Sequence, residues 1–110
     1  MTDTLDLETL ETLKEVMEDE FQVLIDTYLD DSVTRINDLQ AAINAGVGDD
    51  IRRAAHSFKG SSANIGAPAL AELCFVVEEA GRNDQLDDMT DKLAAIEAEY
   101  DKVKTALAEL

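Results

Sequence analysis

The sequence predicts an all-α fold, an up-down-up-down antiparallel four-helix bundle with an additional short N-terminal helix. Apolar residues recur at spacings of three and four along almost the whole chain, while the alternation expected of half-buried strands is nearly absent. Pro68, the only proline, and the five glycines are expected to cluster where helices need to stop. Connections of about three to six residues between the periodic stretches favour antiparallel neighbours. A chain of 110 residues is long enough for one core and short for two, so residues 1–110 are expected to form a single domain.

A short first helix is predicted from Leu7 to Met17, with Leu7, Leu10, Leu13 and Met17 on one side. Phe21, Leu24, Ile25, Tyr28, Leu29, Ser32, Ile36, Leu39 and Ile43 then mark a long second helix ending near Ala45, where Gly46 and Gly48 break the pattern. Asp49 or Asp50 is expected to cap the third helix, because a side-chain carboxylate can accept from the first free amides and suits the positive end of the dipole. This helix should finish between Asn64 and Gly66, where a glycine can take the left-handed conformation of a helix end. Pro68 fits the first turn of a fourth helix, whose Leu70, Leu73, Cys74, Val77 and Gly81 share a face. After the turn at residues 81–84, Leu86, Met89, Leu93, Ile96, Tyr100, Val103, Leu107 and Leu110 form an unbroken seam of the coiled-coil type. Packing of that seam inside the bundle is the expectation, with dimerisation as the alternative.

Apolar residues make up 45% of the chain and charged residues 31%, a globular composition. Nine Lys and Arg against 25 Asp and Glu give a formal net charge of -16, a field that repels nucleic acid and anionic lipid. The first 17 residues are acidic and amphipathic, unlike a secretory signal, and no run approaches the roughly 18 apolar residues that span a bilayer. A cytoplasmic location without membrane contact is therefore expected. Cys74, the single cysteine, cannot form an internal disulfide and falls on an apolar face, as a small core hydrophobe would. No metal site is expected. A di-iron bundle needs two glutamates each followed three residues later by histidine, and Arg53 stands where the glutamate before His56 would be.

His56 is the only histidine, and at about 100° per residue it points roughly 150° from the centre of the arc formed by Ile51, Ala54, Ala55, Phe58, Ser62 and Ile65. Arg52, Arg53, Lys59, Gly60 and Ala63 are its neighbours on the wheel, and no acidic residue occurs from Ile51 to Ala71. A neutral imidazole can act as a covalent nucleophile, and the surroundings suit a group that carries phosphate. Lys59 at i+3 and Arg52 at i-4 can reach phosphoryl oxygens. Gly60 at i+4 and Ala63 at i+7 keep the helix surface low. A glycine inside a helix costs about 1 kcal/mol relative to alanine, so close approach of a partner is a physical reason for it. Ser62, on the buried arc, is expected to bond a carbonyl one turn back. These residues alone leave two readings open, a phosphate carrier and an inert histidine on a solvated face.

The stretch AHSFKGSSANIGAPALAELCFVVEEAGR resembles the signature of histidine-containing phosphotransfer (HPt) domains, in which lysine and glycine follow the histidine by three and four residues. Gly66, Leu70, Leu73, Cys74, Val77 and Glu78 match the helix that follows in this family, and Glu18 to Ile43 looks like the one that precedes. The resemblance is close from about Glu18 to Arg82 and looser over the final helix. Phe58 and Val77 stand where leucine is more common, both apolar exchanges.

The resemblance implies that His56 accepts a phosphoryl group from an aspartate on the receiver domain of a hybrid sensor histidine kinase and passes it to an aspartate on a response regulator. Lys59 and Arg52 would stabilise the phosphate, while Gly60, Ala63, Arg53 and Asn64 would provide clearance and docking. The chain would bind no cofactor, and the Mg²⁺ would belong to the partner receiver. No phosphate-binding glycine-rich loop is present, so the chain is expected to be a transfer intermediate without kinase activity of its own. It is expected to be a monomer that shuttles between separate proteins. The competing reading is a helical adaptor that binds a receiver or a partner helix without being phosphorylated.

Overall fold

The computed structural model describes residues 3–110; Met1 and Thr2, which the single-domain expectation over 1–110 includes, lie outside the described residues. Five helices follow in order: α1 (Leu7–Met17), α2 (Glu20–Ala45), α3 (Gly48–Asn64), α4 (Pro68–Arg82) and α5 (Met89–Ala108), with no strand among the described residues. The last four form a ring in which α2 packs on α3, α3 on α4, α4 on α5, and α5 closes onto α2. Connections of two to six residues force each helix to reverse on its predecessor, which gives the up-down-up-down order expected from the sequence.

Helix α1 covers the end of the bundle where α2 and α4 begin and α3 and α5 finish. Leu10 is fully buried there, the Asp6 amide donates to the Gly66 carbonyl at 2.8 Å, and Lys14 Nζ donates to the Leu110 carbonyl at 2.8 Å. Asp6 caps the helix, its carboxylate accepting from the Thr9 amide and hydroxyl at 3.2 and 2.7 Å. The core is built around Phe58, Leu39, Ile51, Leu70, Val77, Ile96 and Val103. Phe58 meets the Tyr100 ring edge-on at 6.1 Å, a favourable quadrupole arrangement that accommodates an aromatic where leucine would be smaller.

The start of α3 departs from expectation. Val47, in an extended conformation, occupies the N-cap position, and Asp49 and Asp50 both lie in the first turn, so neither aspartate is the cap. Gly48 opens the helix instead of breaking the pattern, because the α4 backbone lies against it. A Cβ at Gly48 would stand 2.7 Å from the Gly81 carbonyl oxygen, and a Cβ at Gly81 would stand 2.7 Å from the Gly48 oxygen and 2.9 Å from the Arg52 nitrogen. Two side chains reduced to hydrogen let α3 and α4 touch at this point. In an antiparallel pair the contact of Gly81 with the Arg52 backbone places Glu78, one turn back along α4, opposite His56, one turn on along α3.

Three further expectations are corrected. Helix α5 begins at Met89, with Leu86 half-buried in a connection where Asp84 and Asp88 take positive φ. Met89, Leu93, Ile96, Tyr100, Val103 and Leu107 are buried within the bundle, whereas Leu110 lies beyond the helix and is exposed, so the seam offers no free apolar strip to a partner helix. Ser62 pairs with a side chain and not with a carbonyl one turn back: its hydroxyl lies 2.9 Å from the Tyr28 hydroxyl inside the core. Phenol and serine satisfy each other there, as buried hydroxyls must.

Candidate functional site

His56 stands near the middle of α3 with its side chain 64% exposed, on the outer surface. Its environment is not the cation-only ring that the local sequence suggests. Nδ1 lies 3.1 Å from Oε2 of Glu78, a carboxylate from α4 whose side chain is only 3% exposed. Lys59 Nζ lies 2.7 Å from Oε1 of the same group, and Arg82 Nη2 approaches Oε2 at 3.3 Å. One buried anion therefore gathers an imidazole and two cations.

Burial pushes the Glu78 carboxyl up, but hydrogen bonds and charge from Lys59 and His56 together outweigh it and hold the group below the usual carboxylate range. Glu78 is thus ionised at neutral pH and can only accept. The shared proton must sit on His56 Nδ1, which fixes the tautomer of the neutral ring and leaves the lone pair on Nε2, on the open side. This is the arrangement a nitrogen nucleophile needs.

The basic residues divide into two groups. Lys59 belongs to the carboxylate cluster, with its side chain 27% exposed and its Nζ 5.2 Å from the centroid of the Phe75 ring. Arg52 and Arg53 turn the other way, toward the first turn of α3, where Arg52 Nη2 and Arg53 Nε meet Asp49 at 2.9 and 3.0 Å. Arg52, expected beside the phosphate, is thus partnered by Asp49 and not by the histidine cluster. Such exposed pairs are weak, so either guanidinium can leave its partner at little cost. Gly60 and Ala63 lie exposed on α3, and a Cβ at Gly60 would meet nothing within 4 Å. Unlike Gly48 and Gly81, Gly60 has no reason inside this molecule to lack a side chain. Asn64, also exposed, lines a cleft of about 180 Å³ between α2 and α3 with Leu24, Tyr28 and Ser61.

Glu78, which matches the family's following helix, is the member of this cluster that the helical wheel of α3 does not place beside His56. It interrupts the buried face formed by Leu70, Cys74, Val77 and Gly81, and a carboxylate on such a face signals a partner elsewhere in the fold. Cys74 beside it is buried, and burial pushes its thiol up to about 12, the behaviour of a core hydrophobe. Among the described residues no three His, Cys, Asp or Glu side chains are grouped to hold a metal ion, and no helix is long and apolar enough to cross a membrane.

A family model described as the Hpt domain matches residues 23–106, which include the histidine, the lysine and the buried glutamate. The chain belongs to the Hpt domain family. This Hpt domain is also similar to the crystal structure of histidine-containing phosphotransfer protein B (HptB) from Pseudomonas aeruginosa PAO1, with a TM-score of 0.93 and 39% sequence identity. The likeness covers 99% of the present chain and 95% of that one. No curated protein matches. The Hpt domain is a histidine phosphotransfer carrier of two-component phosphorelays, a family of carriers and not of kinases.

Proposed function

We propose that His56 is the phosphoacceptor, taking a phosphoryl group from an aspartate on the receiver domain of a hybrid sensor kinase and giving it to an aspartate on a response regulator. The observation that carries this reading is the sole histidine held by Nδ1 on an ionised, buried Glu78 while the rest of the ring remains open to solvent. In the forward step the Nε2 lone pair forms a bond to phosphorus as the aspartyl oxygen–phosphorus bond breaks, and the electron pair returns to the aspartate carboxylate. Nδ1 keeps its proton, so positive charge develops on the ring, and Glu78 lies next to it. In the second step the acceptor aspartate attacks phosphorus, the Nε2–phosphorus bond breaks, and the lone pair returns to nitrogen.

Lys59 neutralises the phosphoryl oxygens in this scheme, with Arg52 as a second cation once it leaves Asp49. Gly60, Ala63, Arg53 and Asn64 serve clearance and docking. The Mg²⁺ that assists transfer belongs to the receiver, and the chain acts as a monomer without kinase activity, binding no cofactor. The test is labelling by a ³²P-charged receiver with Mg²⁺. Wild-type protein should gain an acid-labile, alkali-stable label, and His56→Gln should gain none while keeping its helical spectrum. A label retained in His56→Gln would remove His56 from the reaction.

A further inference from the structure

We propose that Phe75 is a positioning residue for phosphotransfer, its ring holding the Lys59 ammonium beside His56 while leaving that ammonium free to bind phosphoryl oxygens. The proposal rests on the reading of His56 as phosphoacceptor and extends it to a residue on the neighbouring helix.

Phe75 is a large apolar side chain left 48% exposed on α4, although burying it would be favourable. It is not idle there. Lys59 Nζ lies 5.2 Å from its ring centroid, within the range in which the negative face of the ring attracts a cation. Phe75 precedes Glu78 by three residues and therefore shares its side of α4. The ring and the Glu78 carboxylate together keep Lys59 only 27% exposed on an otherwise open surface. A lysine stem has four rotatable carbons and considerable rotamer entropy, so two supports fix what one would leave wandering.

The kind of support matters. An ammonium has three N–H donors, and Glu78 Oε1 engages the group from one side at 2.7 Å. A second carboxylate in place of Phe75 would compete with the incoming phosphate for the remaining donors. An aromatic face attracts the charge without a lone pair, so those donors stay available when the phosphoryl group moves from aspartate oxygen to His56 Nε2. The ring thus narrows where Lys59 can be without weakening what it can bind.

The experiment uses the full chain as wild type, Phe75→Leu, Phe75→Tyr, Lys59→Ala and the Phe75→Leu/Lys59→Ala double variant, each charged by the same acetyl-phosphate-labelled receiver. Exposed cation–π contacts predict a loss of roughly two- to five-fold in transfer rate for Phe75→Leu. Phe75→Tyr should restore the rate, and adding Phe75→Leu to Lys59→Ala should cost nothing more. The uncharged proteins give a second readout: the Lys59 ε-methylene protons should be shifted upfield by the ring in wild type and Phe75→Tyr, and not in Phe75→Leu. Equal transfer by Phe75→Leu, multiplicative losses in the double variant, or an unshifted Lys59 in wild type would each overturn the proposal. Wild-type protein that takes no label would instead overturn the reading of His56 on which it rests.

Discussion

Replacing Gly60 and Gly81 separately with alanine should change stability in opposite directions. Both are helical glycines, and both substitutions relieve the entropic disadvantage of glycine in a helix, worth about 1 kcal/mol in an interior position such as Gly60. Gly81 lies in the last turn of α4, where that gain is smaller. What separates them is space. At Gly60 a Cβ meets nothing within 4 Å, so Gly60→Ala should gain about 1 kcal/mol, or about 4 °C in Tm for a domain of this size. At Gly81 the new methyl would lie 2.7 Å from the Gly48 carbonyl oxygen, 2.9 Å from the Arg52 nitrogen and 3.3 Å from the Arg52 Cα. These are backbone atoms, so α3 and α4 must move apart, at the roughly 1–3 kcal/mol typical of overpacking. The net effect of Gly81→Ala should be destabilising by about 1–2 kcal/mol once the propensity gain is deducted. Urea unfolding followed by far-UV circular dichroism measures both. A destabilised Gly60→Ala, or a stabilised Gly81→Ala, would refute the division of glycines into one kept for a partner and one kept for the fold. The functional half of the argument uses Gly60→Leu, which should fold at least as well as wild type and yet accept phosphate more slowly from a receiver.

Glu78 makes stability depend on pH with a definite sign. Its folded pKa lies below the ordinary glutamate value of about 4.5, so its stabilising contribution is complete above about pH 4.5 and fades as pH falls through the folded value. The stability difference between wild type and Glu78→Gln should therefore shrink in acid, and a difference constant from pH 7 to 3 would show that Glu78 gains nothing from its partners. Removing its acceptor with Glu78→Ala should slow phosphotransfer more than Glu78→Gln, which still offers an oxygen to His56 Nδ1; equal rates for the two variants would count against tautomer control. Ser62→Ala leaves the Tyr28 hydroxyl without its 2.9 Å partner in the core and should cost about 1–3 kcal/mol in denaturant unfolding, whereas a neutral result would mean the hydroxyl finds another partner.

What could be read from the sequence and what could not divides along a physical line. Helix spans follow from periodicity within a single segment, so α1 and the end of α2 match their expected limits, and the α5 seam is buried as the bundle expectation required. The exposure of His56 is legible for the same reason, since a helical wheel needs only local geometry. Glu78 lies 22 residues further along, and its approach to His56 depends on the register of α3 against α4. That register is set where Gly48 and Gly81 touch, and no single-helix pattern contains it. The same limit made residues 51–71 look free of acid. Within that segment they are, but the fold delivers a carboxylate from outside. Asp49 has an oxygen suited to capping α3, but in the fold it lies inside the first turn and accepts from Arg52 and Arg53.

The most direct test of the central claim is nitrogen and phosphorus NMR of ¹⁵N-histidine-labelled protein before and after charging by a phosphorylated receiver. With a single histidine, each ring nitrogen gives one unambiguous signal. Before charging, Nδ1 should carry the proton and Nε2 the lone pair; afterwards, phosphorus should couple to Nε2 alone. A proton on Nε2 in the neutral resting ring, phosphorus on Nδ1, or an imidazole unchanged by charging would contradict a nucleophile oriented by Glu78.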